Sequence, residues 1–144
     1  MTPDVNVLVA ASRQDHVHHV AALASLEAVL AASAGGRSLT IFPMVAAGFL
    51  RMVTHPKVFV EPTPIKAAQA FLRAILDTPG VVLLPLGDEW QLFEHLCVLH
   101  GLRGTDSPDA WIAAAAQTNH EHLLTFDKGF RRLMKASQVT VLPS

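Results

Sequence analysis

The chain has 144 residues, 51% hydrophobic and 16% charged, which excludes a disordered polypeptide and allows one sizeable core. Its formal net charge of −1 provides no global positive field, so a nucleic-acid ligand would need a local basic patch and a metal. No apolar stretch reaches membrane-spanning length, because Glu27 interrupts the Ala/Leu segment at 21–34 and Pro85 stops Val81–Leu84. The start carries an acid and no basic cluster, unlike a signal peptide. The lone Cys97 has no partner for an internal disulfide and reads as a core filler, so the expected setting is cytoplasmic.

In chain order, the continuous apolar run at 4–10 predicts a buried parallel strand. Asp15 is placed to cap a helix running to about Ala34, ended by Gly35-Gly36. Ser38–Phe42 reads as a short strand, and Pro43 opens a helix to about Thr54. Thr63-Pro64 supplies a cap and a first-turn proline for a helix to about Leu76. Val81–Leu84 is a β-branched strand, and Asp88 with Gln91 resembles a capping box for a helix through His100. A helix at 108–119, a strand at 122–126, a short helix at 128–134 and a strand at Val139–Leu142 complete the order. No linker, repeat or charge block interrupts it. The expectation is one α/β domain over 1–144, a parallel central sheet with helices on both faces.

In such folds ligands bind at the carboxyl ends of strands. Asp127 follows a predicted strand, and Asp109 lies in the first turn of the Ala-rich helix, where the helix dipole favours its anion. Asp4 opens its run, the wrong end of a strand for that rule. Two carboxylates about 4 Å apart repel by roughly 4 kcal/mol at an effective dielectric of 20. Acids from three segments therefore call for a hard cation such as Mg²⁺ or Mn²⁺, which takes oxygen ligands and activates water for attack on phosphorus. Asp106 is a further direct or outer ligand. Each acid taken alone also has a structural reading, as a dipole partner or turn former.

Five segments together resemble the PIN-domain proteins, specifically the VapC ribonuclease toxins of toxin–antitoxin pairs. They are Asp4-Val5-Asn6-Val7-Leu8, Asp15-His16-Val17-His18-His19, Gly48-Phe49-Leu50-Arg51-Met52-Val53-Thr54-His55-Pro56, Asp109-Ala110-Trp111-Ile112-Ala113-Ala114 and Thr125-Phe126-Asp127-Lys128-Gly129-Phe130. The resemblance covers nearly the whole chain. It implies a PIN fold, Mg²⁺- or Mn²⁺-dependent cleavage of RNA, and inhibition by a small VapB-like antitoxin. It also implies that Asp4, Asp109 and Asp127 are the catalytic, metal-facing acids. One departure stands out: the family commonly carries a glutamate shortly before the Gly-Phe-Leu-Arg stretch, and Met44-Val45-Ala46-Ala47 holds no acid. Asp106 is the candidate substitute.

Arg51 is a candidate for the substrate phosphate. Asn6 and Thr125 are candidates for the substrate region that can also orient the acids. Arg13, Arg103, Lys128, Arg131 and Arg132 are the remaining basic-patch candidates. His16, His18 and His19 do not share a helix face, so packing is favoured over a zinc site, and Trp111 reads as core or dimer interface. Apolar helical faces at 21–34, 44–53 and 67–76 favour a homodimer. Two rivals remain: a haloacid-dehalogenase-type phosphatase, disfavoured because Asn6 stands where its second acid belongs, and a PIN-like binding module with little or no catalysis.

Overall fold

The computed structural model describes residues 1–32, 36 and 39–144. The first strand, β1, is only Thr2–Pro3, and the run that follows is a helix, α1, over Val5–Ser12. This corrects the strand expected at 4–10. The Asp4 side chain accepts from the Val5 N–H at 2.7 Å and caps the helix, and Ser12 closes it by donating to the Val9 carbonyl at 2.9 Å. Val7 through Ala11 are all buried. A helix covered on every side shows no amphipathic period, which is why it reads like a buried strand.

Next come α2, His19–Ala31; β2, Leu39–Ile41; α3, Pro43–Val53; α4, Ile65–Leu76; and β3, Val81–Leu83. They are followed by α5, Trp90–Leu99; α6, Ser107–Thr118; β4, Leu123–Thr125; a 3₁₀ turn at Lys128–Arg132; and β5, Val139–Val141. The expected end of the second helix at Ala34-Gly35 and the strand start at Ser38 lie outside the described residues. All pairings are parallel, in two ladders, β1-β4-β5 and β2-β3. Among the described residues one backbone bond, Thr40 N–H to the Met1 carbonyl at 2.8 Å, joins the ladders in the order β3-β2-β1-β4-β5. Pro3 explains why the seam has so little: its nitrogen faces β2 and has no hydrogen to donate. Helices flank this parallel sheet, as the alternation of elements implied.

Three expected caps act elsewhere. Asp15 does not cap α2, whose capping position is His18; its carboxylate binds Arg13 Nε and Nη2 at 3.0 and 2.8 Å. The hydrogen bond from Arg13 holds the Asp15 carboxyl below its ordinary pKa. Helix α4 starts one residue late, with Pro64 at its capping position, because the Thr63 hydroxyl accepts from Arg13 Nη1 at 3.1 Å. Asp88 and Gln91 form no capping box; buried Glu89 takes the capping position of α5 and accepts from the Gly87 N–H. Arg13 also donates to the Glu61 carbonyl at 3.0 Å and lies 3.8 Å from the Phe59 ring centroid. This buried guanidinium therefore joins the segments 13–15 and 59–63.

The core is continuous. Ala113 through Ala116 are fully buried, so α6 approaches its neighbours with methyl-sized side chains. Helix α3 approaches α1 just as closely: a Cβ on Gly48 would lie 2.9 Å from Val5 Cγ2. Because the Val5 side chain is β-branched and stiff, Gly48→Ala should destabilise the fold by on the order of 1 kcal/mol, overpacking outweighing the gain in helix propensity. In a Val5→Ala background the same change should stabilise instead. Denaturant melts of the four proteins check the sign reversal.

Candidate active site

The shortness of β1 puts Asp4 past the carboxyl end of a strand, removing the objection raised by the sequence pattern. Asp4 N–H donates to the Leu124 carbonyl at 2.9 Å, so its backbone is still registered to β4. Asp127 lies two residues beyond β4, and Asp109 in the first turn of α6. All three line one cleft of about 410 Å³. A larger groove of about 520 Å³, bordered by Leu50, Lys66, Gln69 and Arg73, contains no carboxylate. Charge, rather than size, selects the site.

The acids are held by neutral partners. The Thr125 hydroxyl, fully buried, donates to Asp4 Oδ2 at 2.7 Å and accepts from the Asp127 N–H at 3.0 Å and from Asn6 Nδ2 at 3.3 Å. Asn6 Oδ1 accepts from the Phe126 N–H at 3.2 Å. Asp127 Oδ1 accepts from the Gly129 N–H at 2.7 Å and caps the 3₁₀ turn that follows. Thus Asn6 and Thr125 are engaged with the acid-bearing backbone and with Asp4 itself. Asp106 Oδ2 accepts from the Arg103 N–H at 3.4 Å and borders a smaller adjoining cavity with Asp109 and Asp127.

No described Lys, Arg or His forms an ion pair with any of these four carboxylates. Burial raises the pKa of Asp4; the bonds from Thr125 and Val5 oppose this, and the Asp127 charge adds to it. Burial and then the charges of Asp4, Asp127 and Asp106 push Asp109 up to about 6. Among the described residues no group of three or more His, Cys, Asp or Glu could hold a metal ion as a ready-made cage. The donor set instead fits a hard cation that keeps several waters and takes only one or two direct carboxylates, the habit of Mg²⁺.

Other predicted residues are less central. Arg51 is exposed on α3 and lines neither acid-bearing cavity. The three histidines diverge: His16 Nδ1 accepts from the His18 N–H, the His18 ring stacks on Phe126 at 4.7 Å, and His19 Nδ1 bonds the Ala10 carbonyl. No acid from α3 reaches the cleft wall; Met52 does, beside Val58, Phe59 and His16. His16 and Met52 fall in segments that carry the family resemblance, but nothing local signals Val58 and Phe59, because the Arg13 contacts that join their segment to the cleft wall span 48 and 50 residues. Trp111 is half-buried and packs near Phe93, with ring centroids 6.4 Å apart. No helix among the described residues is long and apolar enough to cross a membrane.

The PIN domain family model matches residues 1–136. A VapC ribonuclease of Mycobacterium bovis is 35% identical over 133 residues, 92% of this chain and 88% of that protein. Ribonuclease VapC25 of Mycobacterium tuberculosis is 31% identical over 137 residues, 94% of each chain. In fold, the chain matches the crystal structure of VapBC2 from Rickettsia felis bound to a DNA fragment from their promoter. The TM-score is 0.70 at 16% identity, over 99% of this chain and 98% of that one. A match over nearly all of its length, joined to full-length relatives of one kind, makes this chain a member of the PIN-domain family, among the VapC ribonucleases.

Proposed function

We propose that this chain, as one domain over 1–144, is a cytoplasmic endoribonuclease toxin that hydrolyses RNA phosphodiester bonds with Mg²⁺ or Mn²⁺ and is silenced by a VapB-like antitoxin. The observation that carries this reading is a cleft lined by three carboxylates from separate elements that form no ion pair with any described Lys, Arg or His. Asp4, Asp109 and Asp127 are the catalytic acids and cation ligands, with Asp106 as a supporting carboxylate. The bound cation would polarise a phosphoryl oxygen and acidify the attacking water. Thr125 fixes one Asp4 oxygen and leaves the other to the Val5 N–H and the cleft. Asn6 holds the end of β4 against α1, which sets the spacing of Asp4 and Asp127. Both act on substrate through the acids. Arg51, free on the surface of α3, meets RNA or antitoxin outside the cleft.

An antitoxin basic side chain entering the acid cleft would pair with carboxylates at short range, in the place of the cation. A homodimer belongs to the same reading, since α5 leaves Trp90, Val98 and Leu99 exposed. The alternative, a PIN-like module of weak or no catalysis, is kept by one observation: α3 presents Ala46 where an acid was expected.

Purified protein incubated with total RNA and Mg²⁺ or Mn²⁺ should produce discrete new 5′ ends that EDTA abolishes, and its expression should arrest growth unless the neighbouring small reading frame is co-expressed. Absence of metal-dependent ends would favour the binding module.

Thr125→Val removes the hydroxyl that holds Asp4 and receives the Asp127 N–H. Cation affinity or cleavage should fall about 10–100-fold, the usual cost of losing a ligand's orienting partner. Calorimetric Mn²⁺ titration and initial rates check it.

Asp109 releases its proton in the fold only near pH 6, above its ordinary value of 3.8. Between these values the folded chain binds more protons than the unfolded one, so this group's stabilising contribution is lost as pH rises through about 6. Asp109→Asn should therefore raise the melting temperature of metal-free protein at neutral pH, with no gain below the ordinary carboxylate pKa, while abolishing cleavage. In the wild type, Mn²⁺ affinity should weaken as pH falls through about 6, because ligation requires the carboxylate. Melting curves and calorimetry across that window check both.

A further inference from the structure

Asp109 and Asp127 border two cavities at once. On one side lies the cleft with its apolar wall of Met52, Val58 and Phe59. On the other is a cavity of about 140 Å³ in which Asp106, Asp109 and Asp127 share the walls with His100 and Arg132. It is the smaller of the two, and Arg132 is the guanidinium in its lining, whereas the larger cleft has none among the described residues. The acids thus form a ridge with unlike flanks, one suited to a base and one to an anion.

Arg132 is the informative residue. It opens onto a cavity with three carboxylates and pairs with none of them. Its position is set by the backbone. Asp127 caps the turn that ends at Arg132, Phe130 within that turn is fully buried, and Gln117 Nε2, from the helix that carries Asp109, donates to the Leu133 carbonyl at 3.0 Å. A guanidinium presented toward carboxylates without closing on them leaves space for a group that bonds it and tolerates a cation-bearing ridge. A phosphodiester does both, since its oxygens accept paired N–H donors and ligate hard cations.

We propose that Arg132, with His100 beside it, forms a subsite for the phosphate neighbouring the scissile one in single-stranded RNA. The strand then crosses the Asp109–Asp127 ridge with this phosphate on the Arg132 flank and a base against Phe59 and Val58. The inference rests on the ribonuclease reading and adds which flank receives the backbone. Arg131, the preceding residue and also exposed, is not among the residues that line the cavity and serves as an internal control for charge.

Binding of a short fluorescein-labelled single-stranded RNA, with Ca²⁺ replacing Mg²⁺, is followed by anisotropy across a salt series for wild type, Arg132→Ala, Arg132→Lys and Arg131→Ala. Loss of one phosphate contact should make the slope of log affinity against log salt shallower by about 0.7 in Arg132→Ala. Arg132→Lys should retain most of the slope, since a point charge remains, and Arg131→Ala should leave it unchanged. Equal slope changes in Arg131→Ala and Arg132→Ala would mean a diffuse field and overturn the subsite. So would an unchanged slope in Arg132→Ala while wild type still binds and cuts RNA. Failure of the wild type both to bind and to cut would overturn the ribonuclease reading and the subsite together. Matching thermal melts of all four proteins separate these outcomes from misfolding, as an exposed arginine contributes little to stability.

Discussion

One hydroxyl organises the acidic end of this sheet. Thr125 has one proton to give and two lone pairs to fill, and all are used: the proton on Asp4, the lone pairs on the Asp127 N–H and the Asn6 amide. Its bonds run between the end of β4, the start of α1 and the loop after β4. Because Thr125 is fully buried, a missing partner would leave a polar group without water as well as without a bond. The positions of two of the three acids are therefore fixed by a neutral group, at no charge cost to a site that is already strongly negative.

That negativity is the second constraint. The fold brings Asp4, Asp109, Asp127 and Asp106 near enough to raise the proton affinity of Asp109 and supplies no described cation in return. Stability alone would not select this arrangement. It makes sense when positive charge arrives from outside, as the proposed reading of the site requires. The helix dipole at the start of α6 eases the cost for Asp109 without cancelling it. Local strain of this kind is expected where function and stability compete.

Much of this was legible in the sequence, for identifiable reasons. Helix α3 announced itself by Pro43 at its first turn, and β4 by an apolar β-favouring run followed by Asp127. The acids were visible because carboxylates beside apolar runs demand explanation. What failed was anything depending on a distant partner. Asp15 and Thr63 both look like helix caps, and both are taken by Arg13, which a local window cannot anticipate. The run at 4–10 reads as a strand because the neighbours of α1 bury it from all sides, erasing the period that would mark a helix. In the cleft wall Val58 and Phe59 left no signal, since they share a cavity with His16 and Met52 but no spacing. Arg132 was one of several surface cations in the sequence, distinguished only by the cavity it borders.

Pro3 has a mechanical consequence. With a proline in a two-residue strand, the sheet is two hydrogen-bonded units joined, among the described residues, by one Thr40–Met1 backbone bond. The unit β1-β4-β5 has full ladders of its own and carries Asp4 at one strand end and Asp127 just beyond another. The bonds that register Asp4 and Asp127 to each other all lie within that unit, so a shift of β2 and β3 across the seam leaves them intact.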